Sequence, residues 1–153
     1  MILALDPSRV LGWARGEPGG PLAFGHLRLG PRVCAPAEVG EALDTFLSST
    51  IETVEPTLIV YEQPFLSPSF QTAFVLLGMG FYIDTLARLH GVECASVIAT
   101  EATKALTGRA KFPGKDYPER RRAKKLATME ACRARGSSHP YGSPRKQASL
   151  RRG

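Results

Sequence analysis

Two acidic residues in the first half of the chain each close a short apolar segment. Asp6 follows residues 2–5, and Glu62 follows residues 58–61. Segments of this length and composition are typical of buried strands, and acids at the ends of neighbouring strands meet at one rim of a sheet. Magnesium prefers oxygen ligands of this kind, together with water and phosphate oxygens. The pattern indicates a hard-cation site, and two unconnected surface carboxylates are the alternative.

The sequence around the acids predicts the elements that must hold them. A turn-forming segment, residues 6–9, precedes an apolar segment, residues 10–14, which indicates a hairpin with Asp6 at its open end; residues 22–29 indicate a third strand. Helix-like and strand-like segments then alternate, which implies parallel crossovers. We therefore expect an α/β fold whose mixed five-stranded sheet has three antiparallel strands followed by parallel ones, flanked by helices.

The later elements follow from periodicity and from capping residues. Residues 70–90 are apolar nearly all round, as in a helix packed deep in a domain, and Gly78 and Gly80 allow close approach of the sheet or of substrate. Thr100 is the predicted N-cap of a short helix that ends at Gly108. The other predicted elements are an amphipathic helix from Ala37 to near Pro56, a strand over residues 92–98 and a helix from Pro118 to about Arg135.

Charge divides the chain into two unequal parts. Residues 1–100 carry five Lys/Arg against ten Asp/Glu, whereas residues 101–153 carry fifteen against four, within a net charge of +6. Such asymmetry favours a polyanionic partner held by the basic part, and a merely solvated basic tail is the alternative. We expect one domain over residues 1–135 and a basic, disordered tail over residues 136–153, where apolar residues are scarce.

Composition also excludes some classes of protein. We find no apolar run long enough to span a bilayer and no N-terminal signal pattern, so we expect a soluble, cytoplasmic protein without a membrane partner. Cys34, Cys94 and Cys132 are odd in number and lack zinc-ligand spacing, which indicates reduced thiols.

Three segments resemble the motifs of one family, the RuvC-type Holliday junction resolvases. The chain matches them in the expected order across most of residues 1–135. The matching segments are residues 2–8 (Ile-Leu-Ala-Leu-Asp-Pro-Ser) with Gly-Trp-Ala at 12–14, residues 58–65 (Leu-Ile-Val-Tyr-Glu-Gln-Pro-Phe), and residues 102–108 (Ala-Thr-Lys-Ala-Leu-Thr-Gly).

The resemblance implies an RNase H-like fold, a homodimer, and a crossover junction endodeoxyribonuclease that uses Mg²⁺ or Mn²⁺, as a pair of ions, to resolve four-way DNA junctions in recombination and repair. By position, Asp6 and Glu62 take the roles of catalytic metal ligands. Lys104 takes a catalytic role near the scissile phosphate, and Lys125 matches a DNA-contacting lysine, with a solvated helix charge as its alternative.

Basic residues near the third motif would supply phosphate contacts without sequence preference. Phe112 and Tyr117 lie among them, where an aromatic ring either stacks on an unpaired base or packs against the protein. The basic candidates are Arg109, Lys111, Lys115, Arg120, Arg121, Arg122 and Lys124, besides Lys125.

The sequence departs from the family at its last motif, an Asp-x-x-Asp-Ala pattern, because no Asp or Glu follows Glu130. Two carboxylates alone would hold a pair of cations weakly. Asp116, Glu119 or His139 could replace the missing ligands. Cleavage by this chain is therefore in question, and the alternatives are a junction-binding protein that has lost cleavage and an RNase H-like nuclease acting on RNA.

Overall fold

The computed structural model describes residues 1–31, 35–64 and 69–134, and the tail predicted over residues 136–153 lies outside this part of the chain, as do Cys34 and the side chain of Cys132. Strands and helices follow one another in the order β1 (Ile2–Asp6), β2 (Val10–Gly16), β3 (Leu22–Arg28), α1 (Pro36–Val54), β4 (Leu58–Glu62), α2 (Phe70–Leu89), β5 (Glu93–Val97), α3 (Ala99–Thr107) and α4 (Tyr117–Ala134).

The five strands form one mixed sheet in the order β3-β2-β1-β4-β5. The hairpin pairs β1–β2 and β2–β3 are antiparallel, whereas β1–β4 and β4–β5 are parallel. Parallel pairing requires a crossover, and α1 and α2 supply the two crossovers. The predicted mixed α/β sheet is confirmed.

The core lies between one face of the sheet and helices α1 and α2. Leu3 and Leu5 of β1 are buried there, and Ile2, Ala4 and Asp6 alternate onto the opposite face. Helix α1 buries a stripe at helical spacing against the same core, formed by Val39, Leu43, Leu47 and Ile51. The hydroxyl of Tyr82 on α2 donates a hydrogen bond to Asp44 of α1 at 2.6 Å, which joins the two helices.

Helix α2 is buried on one face only, and the expectation that it packs deep on all sides is wrong. Met79, Ile83 and Leu86 are buried, whereas Phe70 and Phe81 are 82% and 75% exposed. The uniform apolar composition concealed this difference, which arises because α2 packs against α1 and the sheet on one side.

By length and composition alone, α2 is the one helix in the described part of the chain that could cross a membrane. The expectation that no apolar run reaches this length is therefore wrong. The core helix of a soluble protein passes the same test, but such a helix is mostly buried, whereas 28% of this segment of α2 is buried.

Smaller differences concern helix ends and glycines. Helix α3 begins at Ala99 after Ile98, so Thr100 is inside its first turn and is not the N-cap; Gly108 ends the helix in the left-handed conformation, as expected. A Cβ at Gly80 would lie 3.4 Å from the Tyr61 ring, so Gly80 permits close packing against β4, whereas a Cβ at Gly78 would meet nothing within 4 Å.

We expect Leu3→Ala to lower the free energy of unfolding by about 2 to 5 kcal/mol, because it leaves a cavity under the centre of the sheet. Its neighbour Ile2, which is half-buried on the opposite face, provides the matched control, and Ile2→Ala should cost clearly less. Urea unfolding of both variants measures the difference. Equal losses would contradict the assignment of the two faces.

Candidate metal and nucleic-acid site

Asp6 and Glu62 lie side by side at one rim of the sheet. Strands β1 and β4 run parallel, and the register that pairs Leu5 with Tyr61 brings the next residues of both strands together. Neighbouring strands are about 4.8 Å apart, so two carboxylates on one face at this point share one small space. Asp6 is exposed and Glu62 is half-buried.

The charges around Glu62 confirm that its neighbours are close enough to act on it. Burial raises the pKa of Glu62 above its ordinary value, the negative charge of Asp6 raises it further, and the positive charge of Lys124 on α4 lowers it. Like charges are thus held together at the rim, and a cation from another element partly offsets their repulsion. Such an arrangement attracts a divalent cation.

Gly12 keeps the space beside Asp6 open. It pairs with Asp6 across the β1–β2 hairpin, on the same face of the sheet. A Cβ at this position would lie 3.3 Å from the Cβ of Asp6 and 3.8 Å from its Oδ2, so a side chain here would occupy the volume that a ligand of Asp6 needs. The oxygen donors and this open volume fit a hard cation such as Mg²⁺ or Mn²⁺.

A broad cleft of about 1400 Å³ adjoins the acids. Asp6 and Thr100 contribute to it from the sheet rim and α3, and the rest of its lining comes from the loop before α4 and from α4 itself. Cations dominate that second wall: Lys111, Arg120, Arg121, Lys124 and Lys125 all line the cleft. The cleft thus combines a carboxylate rim with a basic wall, which suits a phosphodiester.

The candidate residues of the sequence divide between this cleft and the surface around it. Lys104 is exposed on α3 and is not part of the lining, and the same holds for Arg109 and Lys115. Among the described cations, Lys124 rather than Lys104 acts on the Glu62 charge. The roles given to these residues by resemblance stay predictions.

Both aromatic candidates line the cleft, but they differ in exposure. Phe112 is half-buried, so part of its ring packs on the protein, whereas Tyr117 is 71% exposed. Tyr117 is therefore the better placed of the two to stack on a base.

Asp116 and Glu119 cap helix α4 and do not replace the missing ligands. The backbone N–H of Glu119 donates to Asp116 Oδ1 at 2.9 Å, and the N–H of Lys115 donates to Glu119 Oε2 at 2.8 Å. Within residues 1–31, 35–64 and 69–134, no group of three or more His, Cys, Asp or Glu side chains forms a metal site. His139 lies outside this part of the chain.

No protein-family model matches the chain, and no curated protein matches it. Several solved structures, by contrast, are similar to this chain. RuvC of Thermus thermophilus aligns over 92% of this chain and 99% of its own, with 13% identity and a TM-score of 0.57. The same protein in complex with a Holliday junction substrate aligns over 88% and 94%, with 16% identity and a TM-score of 0.60.

This chain has an RNase H-like fold. Its mixed five-stranded sheet and flanking helices match those structures almost from end to end. The yeast mitochondrial Holliday junction resolvase Ydc2 aligns over 68% of this chain and 52% of its own, with 10% identity and a TM-score of 0.49. At these identities the likeness concerns the fold, and the chemistry must be argued from the side chains of this chain.

Asp6→Asn should lower the pKa of Glu62 toward its ordinary value, because it removes the nearby negative charge and leaves only burial to raise the pKa. A pH titration of the Glu62 carboxyl carbon by NMR, without divalent cations, measures the change. Glu52→Gln, on the exposed side of α1, is the charge-matched control and should leave the pKa of Glu62 unaltered. An unchanged Glu62 pKa in Asp6→Asn would show that the two carboxylates do not interact electrostatically.

Glu62→Gln should make the metal-free protein more stable at neutral pH. A carboxyl group whose pKa is raised in the folded state binds its proton more tightly there, so its stabilising contribution is present at low pH and is lost as the pH rises through the folded pKa. A glutamine side chain does not titrate, so the variant does not lose this stability as the pH rises. Thermal unfolding should show a higher midpoint for the variant at pH 7.5 and no gain below about pH 4, under the ordinary carboxyl pKa. A lower midpoint at pH 7.5 would contradict the sign of the shift.

Proposed function

We propose that this chain is a RuvC-type, divalent-metal-dependent endonuclease that resolves four-way or other branched DNA in recombination and repair. One observation carries the proposal: two carboxylates lie at adjoining strand ends, and one of them, Asp6, lines a cleft whose other wall is basic. The likeness to RuvC solved with a Holliday junction supports branched DNA as the substrate class.

Asp6 and Glu62 are the residues that would hold Mg²⁺ or Mn²⁺, and the open volume over Gly12 leaves room for water and for a phosphate oxygen. A divalent cation held there supplies positive charge to the phosphodiester undergoing hydrolysis. Two carboxylates suffice for one hard cation, and a second cation would depend on phosphate oxygens for most of its charge balance.

The basic wall would bind the DNA backbone without reading its sequence. Lys124 is close enough to Glu62 to lower its pKa, so it would contact the phosphate nearest to the acids. Arg120, Arg121 and Lys125 lie on the same helix and line the same cleft, where they would hold flanking phosphates. Tyr117 would stack on a base left unpaired at the branch point.

A junction-binding protein without nuclease activity is the second candidate. It is favoured by the lack of a third metal-ligating side chain beside Asp6 and Glu62 among the described residues. Binding would then use the same basic wall, and only cleavage would be lost.

We further propose that the protein acts as a cytoplasmic homodimer. Helix α2 presents an exposed apolar stripe at helical spacing, in which the rings of Phe70 and Phe74 stack with centroids 6.2 Å apart. A soluble monomer rarely exposes a continuous stripe of this kind, and a second copy of the helix would cover it. The stripe consists of Phe70, Phe74, Leu77 and Phe81.

With Mg²⁺ or Mn²⁺, the protein should nick a labelled four-way DNA junction at symmetric positions and leave linear duplex intact. Asp6→Asn should reduce the nicking rate by at least about 100-fold, since it removes a charge on which cation binding depends. Denaturing gel electrophoresis of the end-labelled junction measures the rate, and Glu52→Gln is the control with the same loss of charge at a distance from the site.

Three outcomes separate the candidates. Nicks abolished by Asp6→Asn support the nuclease. Junction binding that weakens with salt, without nicks in either metal, would establish the non-cleaving protein instead. Equal activity of Asp6→Asn and the unsubstituted chain would refute both the site and the mechanism.

Phe81→Asp should convert the dimer to a monomer, because it buries a charge in the proposed interface. Light scattering during size-exclusion chromatography should give about twice the 16.6 kDa chain mass for the unsubstituted protein and one chain mass for the variant. Leu126→Asp, an equally polar change at an exposed position of α4, should leave the dimer intact. A monomeric unsubstituted protein would exclude the dimer.

A further inference from the structure

Strand β3 brings two basic side chains to the side of the acids that lies away from α4. His26 of β3 pairs with Gly12 of β2, which in turn pairs with Asp6 of β1. Residues paired directly across strands point to the same face, so His26, Asp6 and Glu62 stand in one row across the sheet. Arg28, two residues further along β3, is on this face as well, paired with Val10.

Gly12 occupies the position between His26 and Asp6 in this row. It has no side chain, and the atoms nearest to where its Cβ would lie all belong to Asp6. Two strand spacings separate the Cα atoms of His26 and Asp6 by about 10 Å. This gap is too wide for direct contact, but it can be bridged by a phosphate group or by ordered water.

Both side chains are exposed at this rim. No hydrogen bond, ion pair or ring contact engages the side chain of either residue within the described part of the chain. The positive charge of Arg28 is therefore not offset by an acid of the described residues, and both side chains are available to a ligand that reaches the rim.

Electrostatics explains why a polyanion needs cations at this place. A phosphodiester strand that crosses the row passes two carboxylates, and Lys124 acts on one of them, Glu62, from the α4 side. On the Asp6 side, strand β3 places His26 and Arg28 on the same face of the sheet. Without a bound cation, a strand held from α4 alone would be repelled as it continues past Asp6.

We propose that His26 and Arg28 form a second phosphate-binding surface, so that a DNA strand crosses the carboxylate pair and is held on both sides of it. The inference rests on the proposed function, because it extends the same site across the sheet. Arg28 contacts the backbone beyond the phosphate at Asp6, and His26 donates a hydrogen bond to the phosphate that lies between His26 and Asp6. Both are positioning residues and take no part in proton transfer.

Salt dependence of junction binding tests this surface. The dissociation constant of a labelled four-way DNA junction is measured against KCl concentration, in EDTA so that cleavage does not intervene. Loss of one phosphate contact lowers the slope of log K against log salt by about 0.7 to 0.9. We expect this change in Arg28→Ala, weaker binding still in the double variant His26→Ala/Arg28→Ala because a hydrogen bond to phosphate is also lost, and recovery of the slope in Arg28→Lys, which keeps the charge.

Arg88→Ala provides the matched control, since Arg88 is an exposed arginine of α2 on the opposite side of the sheet, and its slope should equal that of the unsubstituted protein. Lys124→Ala tests the α4 side independently. Unaltered slopes in Arg28→Ala and in the double variant, with a reduced slope in Lys124→Ala, would overturn the β3 surface and leave the proposed function standing. Absence of salt-sensitive junction binding by the unsubstituted protein would overturn both.

Discussion

The parallel pairing of β1 with β4 is the constraint on which the site depends. These strands are far apart in sequence, and only their register, with Leu5 opposite Tyr61, makes Asp6 and Glu62 neighbours. A shift of one residue would send one carboxylate into the core and leave the other alone at the rim. The buried side chains of both strands oppose such a shift, because it would move either Leu3 and Leu5 or Ile59 to the open face.

Repulsion between the two acids is the cost of this register. Burial and the charge of Asp6 both raise the pKa of Glu62, so the fold holds together groups that would separate if they were free. Strand pairing and the core beneath it supply the free energy that opposes the repulsion. Strain of this kind is typical of sites that await a cation or an acidic proton.

Much of the fold follows from local signals, because the strands are short apolar runs bounded by turn residues and the acids fall at their ends. The sequence also identifies Gly108 as a helix stop and the loop before α4 as basic. It does not reveal that Lys124 rather than Lys104 acts on Glu62, since the orientation of α3 and α4 depends on tertiary packing and not on periodicity.

For other residues of the site, the sequence contains information that an interpretation based on family motifs did not use. Asp116 and Glu119 have the spacing of a helix cap, which accounts for their carboxylates better than metal binding does. The pairing of Gly12 with Asp6, and of His26 with Gly12, follows from the register of two hairpins, and that register is fixed only when the turns are known. The exposed face of α2 was hidden by its uniform composition.

The two walls of the cleft differ in how firmly they are attached. Asp6 and Glu62 belong to the central strands of a hydrogen-bonded sheet, whereas α4 packs mainly against α3, and within the described residues its contacts with the sheet are few. The distance between the walls is therefore set by a helical arm that joins the sheet through the end of β5. The hydrogen-bonded sheet thus fixes the spacing of the carboxylates, whereas the position of the basic wall depends on the packing of two helices.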